Sequence, residues 1–554
     1  MGVAMWDAAT LGQLMAGGLF IAIMLFLMSG YLVAFTLGGL AILFGFAGIW
    51  VGAFDERLFA ALPNRFWGVI TNPVLIAVPL FVFMGVVLER SGIAEALLTT
   101  MGQVFGRMRG GLALSVVLVG ALLAAATGVV GATVVTMGLL SLPAMMRAGY
   151  DPKLACGTIC AAGTLGQILP PSTVLIFLAD ILQGANSAAQ LAMGNFAPDT
   201  VSVGDLFAGA MIPSLILATF YALYVIAKAI LAPQTCPPVP MTEAERRGLA
   251  RRVVSALIPP LVLIAAVLGS IVAGVATPTE SASVGALGAL FLAAVKLLAD
   301  THLGAAGDPR RDLRLFWFWV GFLVVLGGTG WLFGGPGLLN LMVGVLGAAL
   351  LAVAASGRLR ARFFDTLFRS CVATMSITSM VFIILLGATA FALVFTQMGG
   401  TAMVRGFLEA MPGGQTGALL MVFAIIFVLG FFLDTFEILF IVVPITAPVL
   451  LMMDVDPIWL GVMMGVLLQT SFLTPPFGFS LFYLRGVAPR TITTPQIYRG
   501  ALPFIALQIL ALAILWVWPE TATWLPEVIF GSGASGAGAP PAELDFGDEF
   551  DDFL

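Results

Sequence analysis

The sequence predicts an all-α polytopic membrane protein built from two inverted repeats. Composition, the length of the apolar runs and the spacing of the prolines support this prediction. Of the 554 residues, 60% are hydrophobic and only 10% are charged, whereas about a quarter are charged in ordinary soluble domains. Apolar runs at 11–29, 66–88 and 501–518 are each long enough to cross a lipid bilayer, which takes roughly 17–25 residues.

The composition also excludes several functional classes. The four cysteines show neither a disulfide framework nor a zinc-binding spacing. The one histidine, His302, rules out an HExxH metalloprotease. A net charge of −5 without a strongly basic cluster argues against nucleic acid as a partner. No nucleophile–base pair is visible, so the sequence does not predict an enzyme.

Two long apolar stretches, 112–146 and 416–451, are each about 35 residues long and are interrupted near the middle by small or polar residues. Each could be a re-entrant hairpin, which enters and leaves the membrane on one side, or two tight crossings. The remaining apolar runs predict about 12 full spans, near 11–30, 33–54, 66–88, 154–181, 204–227, 253–271, 279–298, 316–334, 338–356, 371–396, 458–484 and 501–518.

The basic residues predict the orientation of these spans. Lysine and arginine collect in loops at 228–252, 296–314 and 358–369, whereas the loop at 182–203 has none. Pairs of spans separate the three basic loops, so all three lie on one side, and basic loops stay in the cytoplasm. Both termini are then outside. The first span lacks a positively charged leading segment, which predicts a retained span and not a signal peptide.

Prolines reveal an internal duplication. An Asp-Pro pair at 151–152 precedes a Pro-Pro pair at 170–171, and a second Asp-Pro pair at 456–457 precedes a second Pro-Pro pair at 475–476. In both copies 18 residues separate the first proline from the Pro-Pro pair, so the copies are offset by 305 residues. The same offset relates the two long apolar stretches to each other.

Charge distinguishes the two copies. Arg147 and Lys153 flank the first Asp-Pro pair, whereas the loop before the second span contains Asp454 and Asp456 and no base. Equivalent segments are therefore predicted to run in opposite directions through the membrane. This is the inverted-repeat design of secondary transporters, in which substrate and coupling ions bind near the membrane midplane at the repeat interface.

Four segments are candidates for such a site, because nonhelical backbone at membrane depth survives only when it is buried in protein or lines a polar cavity. Proline lacks an N–H group and frees carbonyl oxygens, which suit a hard cation such as Na⁺. A helix that begins after the break presents N–H groups to a carboxylate. The candidate substrate- and ion-binding residues are Thr127, Gly128, Thr133, Gly163, Thr164, Gly166, Pro170, Pro171, Ser172, Asp434, Thr435, Glu437, Thr470, Ser471, Thr474, Pro475, Pro476 and Gly478.

Structural roles compete with the functional ones at some of these positions. Thr127 and Thr133 could be packing hydroxyls that bond to their own helix. Asp434 with Glu437 three residues later could be an N-cap and its N3 partner. A helix that starts inside the membrane would, however, itself mark a site, and ionisable groups within a span are functional candidates by default.

Three stretches of the chain resemble the large membrane subunit, the DctM-like permease, of tripartite ATP-independent periplasmic (TRAP) transporters. The resemblance covers most of 1–290 and 370–520, and several motifs occur in the expected order. The matching stretches are TGVVGATVVTMGLLSLPAMMRAGYDPKLACGTICAAGTLGQILPPSTV, GVATPTESASVGAL and FLDTFEILFIVVPITAPVLLMMDVDPIWLGVMMGVLLQTSFLTPPFGFSLFYLRGVAP.

The resemblance implies an elevator-type Na⁺ symporter in the bacterial inner membrane. Such a permease imports a small organic anion, a carboxylate, that a periplasmic solute-binding protein delivers, and it works with a small DctQ-like membrane subunit. Na⁺ is then the coupling ion, with Thr127, Thr164 and Thr474 as candidate ligands, and no other cofactor is implied. The alternative is a stand-alone carboxylate carrier that needs no binding protein.

The same considerations predict how the chain is divided. The first inverted repeat and the second inverted repeat each supply a hairpin and a broken helix to a transport domain. The predicted parts are N-terminal scaffold helices at 1–60, the first repeat at 61–203, scaffold and arm helices at 204–296, an inserted two-span hairpin at 297–370, the second repeat at 371–500, a C-terminal scaffold span at 501–531 and an acidic disordered tail at 532–554.

Overall fold

The computed structural model describes residues 7–128, 130–239, 249–302 and 357–531, and within these ranges the chain is helical without β-strands. Before residue 240 the helices are α1 Ala8–Met28, α2 Val33–Val51, α3 Leu62–Ile70, α4 Pro73–Arg90, α5 Ile93–Phe105, α6 Gly111–Thr127, α7 Val130–Arg147, α8 Pro152–Thr164, α9 Thr173–Ala192 and α10 Val203–Leu231.

The later part of the described chain has the same character. Its helices are α11 Leu249–Val272, α12 Pro278–His302, α13 Gly357–Gln397, α14 Gly400–Glu409, α15 Gly414–Leu429, α16 Thr435–Ile441, α17 Val443–Met452, α18 Pro457–Leu473, α19 Phe479–Val487, α20 Thr494–Val517 and α21 Glu520–Phe530.

The predicted multi-pass architecture is confirmed. Ten of the described helices, namely α1, α2, α4, α7, α9 to α13 and α20, are long and apolar enough to cross a membrane. The bent pair α16–α17 would make an eleventh span. The predicted spans at 316–334 and 338–356 lie outside the described residues, as do most of the predicted insertion and the whole acidic tail.

One predicted span begins later than the sequence suggested. The run at 66–88 is divided, because α3 covers its first residues and α4 begins only at Pro73. Asn72 caps α4: its side-chain oxygen accepts a hydrogen bond from the Val74 N–H at 3.0 Å. Pro73 occupies the first helical position, where a missing N–H group costs nothing. The residues on both sides of Asn72 are apolar, so hydropathy alone did not reveal that a new helix starts at Pro73.

Both long apolar stretches form helical hairpins. The first hairpin is α6–α7, which turns at Gly128 with a left-handed φ of 62°. The second hairpin is α15–α17, in which the returning arm bends by 53° between α16 and α17. Pro444 is the second residue of α17, and its missing N–H removes a backbone hydrogen bond at that point. The two copies therefore differ in the shape of one arm.

Both Asp-Pro helices break at their Pro-Pro pairs. In the first break, residues 165–172, a short 3₁₀ turn Leu165–Gln167 and the Pro170-Pro171 pair separate α8 from α9. In the second break, residues 474–478, Pro475-Pro476 separates α18 from α19. Both Pro-Pro peptide bonds are cis. The prolines therefore mark equivalent interruptions in the two copies.

Capping carboxylates start both broken helices. Asp151 accepts a hydrogen bond from the Lys153 N–H at 3.0 Å, and Asp456 accepts one from the Trp459 N–H at 2.7 Å. Each Asp is followed by a proline at the first helical position. The shared Asp-Pro motif is thus a shared helix start.

The broken helices lie at the centre of the molecule. Every residue from Leu154 to Thr164 in α8 and from Trp459 to Leu473 in α18 is buried. In contrast, α2 exposes large apolar side chains, including Trp50 at 93% exposure, as expected for a helix that faces lipid or another subunit. The predicted domain boundaries stay predictions, although α12 and α13 each continue across one predicted edge of the insertion.

Candidate functional site

The tip of the first hairpin contacts both broken helices. Gly128 accepts a hydrogen bond at its carbonyl oxygen from the Thr173 hydroxyl at 3.1 Å, and Thr173 is the first residue after the first break. Gly131 lies against the ring of Tyr483 in α19, where an added Cβ would be 3.0 Å from the ring. Two reasons require glycine at position 128. Its φ is positive, and an added Cβ would lie 2.9 Å from the Thr173 hydroxyl oxygen.

The tip of the second hairpin contacts the first break. Gln167 donates a hydrogen bond from its amide nitrogen to the Thr435 hydroxyl at 2.7 Å. Phe177 in α9 packs edge-on against Phe436 and Phe440, with ring centroids 5.6 and 5.1 Å apart. A polar contact and an aromatic cluster therefore hold the second hairpin on the broken helix of the other repeat.

Asp434 and Glu437 lie at this second tip. Asp434 is the N-cap residue of α16, and the Glu437 carboxylate accepts a hydrogen bond from the Asp434 N–H at 3.1 Å. Asp434 and Glu437 therefore have the capping role that the sequence offered as one alternative. The capped helix starts beside the first break, so the same carboxylates also lie next to the candidate site, and both are only partly covered by protein.

Two hydroxyl groups, one at the end of α8 and one in the first break, donate their protons to nearby backbone carbonyls. Thr164 donates to the Ala161 carbonyl at 2.9 Å, and Ser172 donates to the Gln167 carbonyl at 2.7 Å. Both residues are fully buried. A hydroxyl oxygen keeps two acceptor lone pairs when its proton is engaged. These two oxygens can therefore accept a further donor or coordinate a cation.

The end of α18 and the second break repeat this arrangement. Thr470 donates to the Val466 carbonyl at 2.8 Å, Ser471 to Leu468 at 2.8 Å, and Thr474 to Thr470 at 2.7 Å. Such back-bonding to the preceding turn is common for Ser and Thr inside helices. Because the protons of these three hydroxyls are already donated, their oxygens can act only as acceptors toward a further group.

Glycines allow the breaks to pack against the hairpins. A Cβ on Gly163 would lie 2.3 Å from a Val134 methyl, and one on Gly166 would lie 2.9 Å from the Ala124 carbonyl oxygen. A Cβ on Gly478 would lie 2.6 Å from the Phe472 carbonyl oxygen. Real Cβ atoms do not approach this closely, so the contact of the first broken helix with the first hairpin depends on glycine at 163 and 166, and the turn of the second break back onto α18 depends on Gly478.

The structure thus brings together most of the residues predicted from the sequence. Thr133 is buried in α7, while Pro475 and Pro476 lie at the partly exposed edge of the second break. The side chain of Thr127 lies outside the described part of the structure. Among the described residues, no cluster of three His, Cys, Asp or Glu side chains could hold a metal. The oxygen groups are hydroxyls, carbonyls and two carboxylates, which suit a hard cation such as Na⁺.

The sequence interpretation missed several buried polar residues. Gln167, Gln469 and Gln508 are each at most 1% exposed, and Tyr221 is fully buried beside Gln469. Their signal was an uncharged amide inside an otherwise apolar helix, such as Gln469 in PIWLGVMMGVLLQTSFL. A polar group at membrane depth is expensive and therefore informative even when it carries no charge.

Comparison with known proteins connects this geometry to a family. The family model for the DctM component of tripartite ATP-independent periplasmic transporters matches residues 14–314 and 320–521. The C4-dicarboxylate TRAP transporter large permease protein DctM of Vibrio cholerae is 27% identical over 515 residues, which cover 93% of this chain and 98% of that protein. The sialic acid TRAP transporter permease protein SiaT of Haemophilus influenzae is 24% identical and covers 82% of this chain and 60% of its own length.

A solved structure shares the fold. The YdaH transporter of Alcanivorax borkumensis superposes with a TM-score of 0.51 at 16% identity, covering 85% of this chain and 90% of that one. The relatives are transporter permeases and not enzymes. Together with the ten membrane-length helices, they confirm the predicted multi-pass location in the bacterial inner membrane. The family model matches most of the chain, and the chain therefore belongs to the DctM family of TRAP transporter large subunits.

Proposed function

We propose that this chain is the permease subunit of a Na⁺-coupled importer for an organic anion, a carboxylate, delivered by a periplasmic solute-binding protein. A small DctQ-like membrane subunit is the second proposed partner. One observation carries the proposal: both hairpin tips meet the broken helices, and the second tip docks on the break of the opposite repeat through Gln167 and Thr435. Inverted-repeat transporters bind substrate and ions at such an interface.

The chemistry of the breaks supports coupled binding of a cation and an anion. Hydroxyl oxygens of Thr164 and Ser172 have their protons engaged and can coordinate Na⁺. Helices α9 and α19 begin directly after the breaks, and their first N–H groups and positive dipole ends favour a carboxylate. A bound Na⁺ next to these helix starts would strengthen the attraction for the anion, because opposite charges attract more strongly away from water.

The relatives support the solute class. Two of the related permeases carry C4-dicarboxylate and sialic acid in their names, and both solutes bear carboxylates. We further propose that the two hairpins and two broken helices move together as a transport domain, in the manner of an elevator. The aromatic contact between Phe177 and the second hairpin supports movement of these elements as one body.

Reconstitution tests this function. Proteoliposomes should contain this chain with its small membrane subunit, with binding protein outside and radiolabelled succinate or sialic acid as first probes. We expect uptake only when an inward Na⁺ gradient and the binding protein are both present. Uptake without binding protein would favour the stand-alone carboxylate carrier, and uptake that is equal in Na⁺ and choline would contradict Na⁺ coupling.

A further inference from the structure

A cavity of about 650 Å³ lies at the base of the first hairpin, away from its tip. One face of α5 and one face of α7 form its walls, α6 contributes Leu112, and residues 238–239 close one end. We call it the hairpin-base cavity. It is far larger than the roughly 30 Å³ of one water molecule and lies within the range of about 300–1,000 Å³ that is usual for ligand sites. Its described lining includes none of the candidate residues of the hairpin tips and breaks.

Hydrogen bonds hold the walls of this cavity in place. The Val239 N–H donates to the Gly106 carbonyl at 2.7 Å, which fixes the closing segment to the end of α5. On the neighbouring side of α5, the Ser115 hydroxyl of α6 donates to the Met101 carbonyl at 2.8 Å. Helix α5 is therefore anchored at its end and along α6. The hairpin-base cavity is a defined space between anchored elements.

A buried hydroxyl without a partner faces this space. Ser141 in α7 lines the cavity and is 1% exposed, and its hydroxyl has no hydrogen-bond partner among the described residues. Other buried hydroxyls in these helices donate to the preceding turn, as Thr158 does to the Leu154 carbonyl at 2.8 Å. Buried polar groups are nearly always paired. A ligand in the hairpin-base cavity would supply the partner that Ser141 lacks.

Charges of both signs stand at the mouth of the cavity. Glu95 in the first turn of α5 and Arg147 in the last turn of α7 are exposed lining residues. Within the described part of the chain, neither belongs to an ion pair. Arg252 lies close by, because its guanidinium donates to the lining Gln103 at 3.2 Å. A ligand that carries both a phosphate and an ammonium group would find a guanidinium for the first and a carboxylate for the second.

The deeper part of the cavity is apolar. Leu98, Leu112 and Leu140 line it, and α7 runs roughly 10 Å from Arg147 to Leu140 at 1.5 Å per residue. A ligand with a charged head at the mouth and hydrocarbon along these leucines is an amphiphile. The basic loops predict that this end of the hairpin lies at the cytoplasmic surface, and charged pockets between helices at that surface bind lipid headgroups.

We propose that the hairpin-base cavity binds a zwitterionic phospholipid. Its phosphate lies on Arg147, its ammonium group on Glu95, and its ester region against the Ser141 hydroxyl. A soluble headgroup has the same two charges, but the apolar part of the cavity favours the lipid. Helix α5 packs against α6 and α11, whereas α7 belongs to the proposed transport domain. The lipid would therefore influence movement of the first hairpin, a consequence that rests on the proposed function.

Photo-cross-linking tests the site. The purified full-length protein is placed in nanodiscs that contain phosphatidylethanolamine with a diazirine in its acyl chain, and mass spectrometry identifies the labelled peptides. We expect label on α5 and α7. Arg147→Gln should lower this labelling about fivefold, and Ala144→Phe, which fills the cavity without a change of charge, should abolish it. The matched control is Arg490→Gln, an exposed arginine that does not line the cavity, which should be labelled like the native protein.

Competition separates the contributions of headgroup and tail. Unlabelled phosphatidylethanolamine should displace the probe, phosphatidylglycerol should compete about fivefold less well because it lacks the ammonium group, and Glu95→Gln should remove this difference. Equal competition by both lipids in the native protein, or displacement by soluble glycerophosphoethanolamine as effective as by the lipid, would overturn the proposal. So would native labelling of Ala144→Phe. Arg147→Gln changes an exposed position and keeps the test valid if Ala144→Phe folds poorly.

The outcome for the lipid site is distinct from the outcome for the proposed function. Labelling needs neither solute, Na⁺ nor binding protein, so it can be measured even if transport proves indifferent to Na⁺. Conversely, Na⁺-dependent uptake by a protein whose α5 and α7 are never labelled would overturn the lipid site and leave the proposed function intact.

Discussion

The contact between Gly430 and Ser471 offers a stringent test of the repeat. Gly430 ends α15 in the second hairpin, and a Cβ added there would lie 2.1 Å from the Ser471 hydroxyl oxygen and 2.6 Å from its Cβ. At the positions 305 residues earlier in the first copy, the hairpin has Ala125 and the break has Gly166, and Gly166 packs against the adjacent alanine, Ala124. The glycine therefore lies in the hairpin in the second copy and in the broken helix in the first copy.

We predict that Gly430→Ala destabilises the protein and that Ser471→Gly rescues it. The φ of Gly430 is −63°, which alanine adopts without strain. The loss of stability in Gly430→Ala therefore comes from overpacking a buried contact and should be about 1–3 kcal/mol. Ser471→Gly alone loses the hydroxyl bond to Leu468 and should cost about 1 kcal/mol. The double variant recreates the Ala–Gly pair of the first copy and should be more stable than Gly430→Ala.

Thermal unfolding of the purified protein, compared among the native chain, both single variants and the double variant, measures this coupling. We expect the two changes to be non-additive by about 1–3 kcal/mol in the stabilising direction. The matched control is Gly184→Ala, because an added Cβ there meets nothing within 4 Å. Additive destabilisation in the double variant would refute the packing equivalence of the two copies.

Three further predictions concern the site. Asp434→Ala should abolish solute uptake in proteoliposomes while membrane insertion, measured by immunoblot, stays normal; unimpaired uptake would remove Asp434 from the site. Gly128→Ala should lower stability by about 1–2 kcal/mol, because φ is +62°, and a melting temperature equal to the native value would contradict this turn. Phe177→Ala should cost about 3–5 kcal/mol through loss of its buried contacts with the second hairpin, and thermal unfolding of the variant checks it.

The sequence was sufficient for the architecture because its signals are local. Hydropathy located the spans, and two Asp-Pro helix starts with Pro-Pro interruptions located the broken helices. Proline and capping residues act on their own turn of helix, so their meaning does not depend on distant contacts. The same locality explains why the capping geometry of Asp434 and Glu437 could be anticipated.

Tertiary contacts could not be predicted in the same way. The docking of Gln167 on Thr435 depends on which elements meet across 268 residues of chain. A single uncharged amide in an apolar helix, such as Gln469, indicates a buried polar group, but it does not tell which other polar groups it meets once the helices are assembled. The division of the run at 66–88 depended on one cap, Asn72, within a stretch of high hydropathy.

The candidate site is formed where the second hairpin docks onto the broken helix of the first repeat. The direct measurement is thiol cross-linking of Gln167→Cys with Thr435→Cys in native membranes, in a background where Cys371 is replaced by serine and the other three cysteines by alanine. We predict that a short bifunctional thiol reagent joins the pair and stops uptake, and that a cleavable reagent restores uptake on reduction. As a control, each single-cysteine variant must react with thiol reagents. If it does, absence of cross-linking in both Na⁺ and choline would contradict the docking of the second hairpin on the first broken helix.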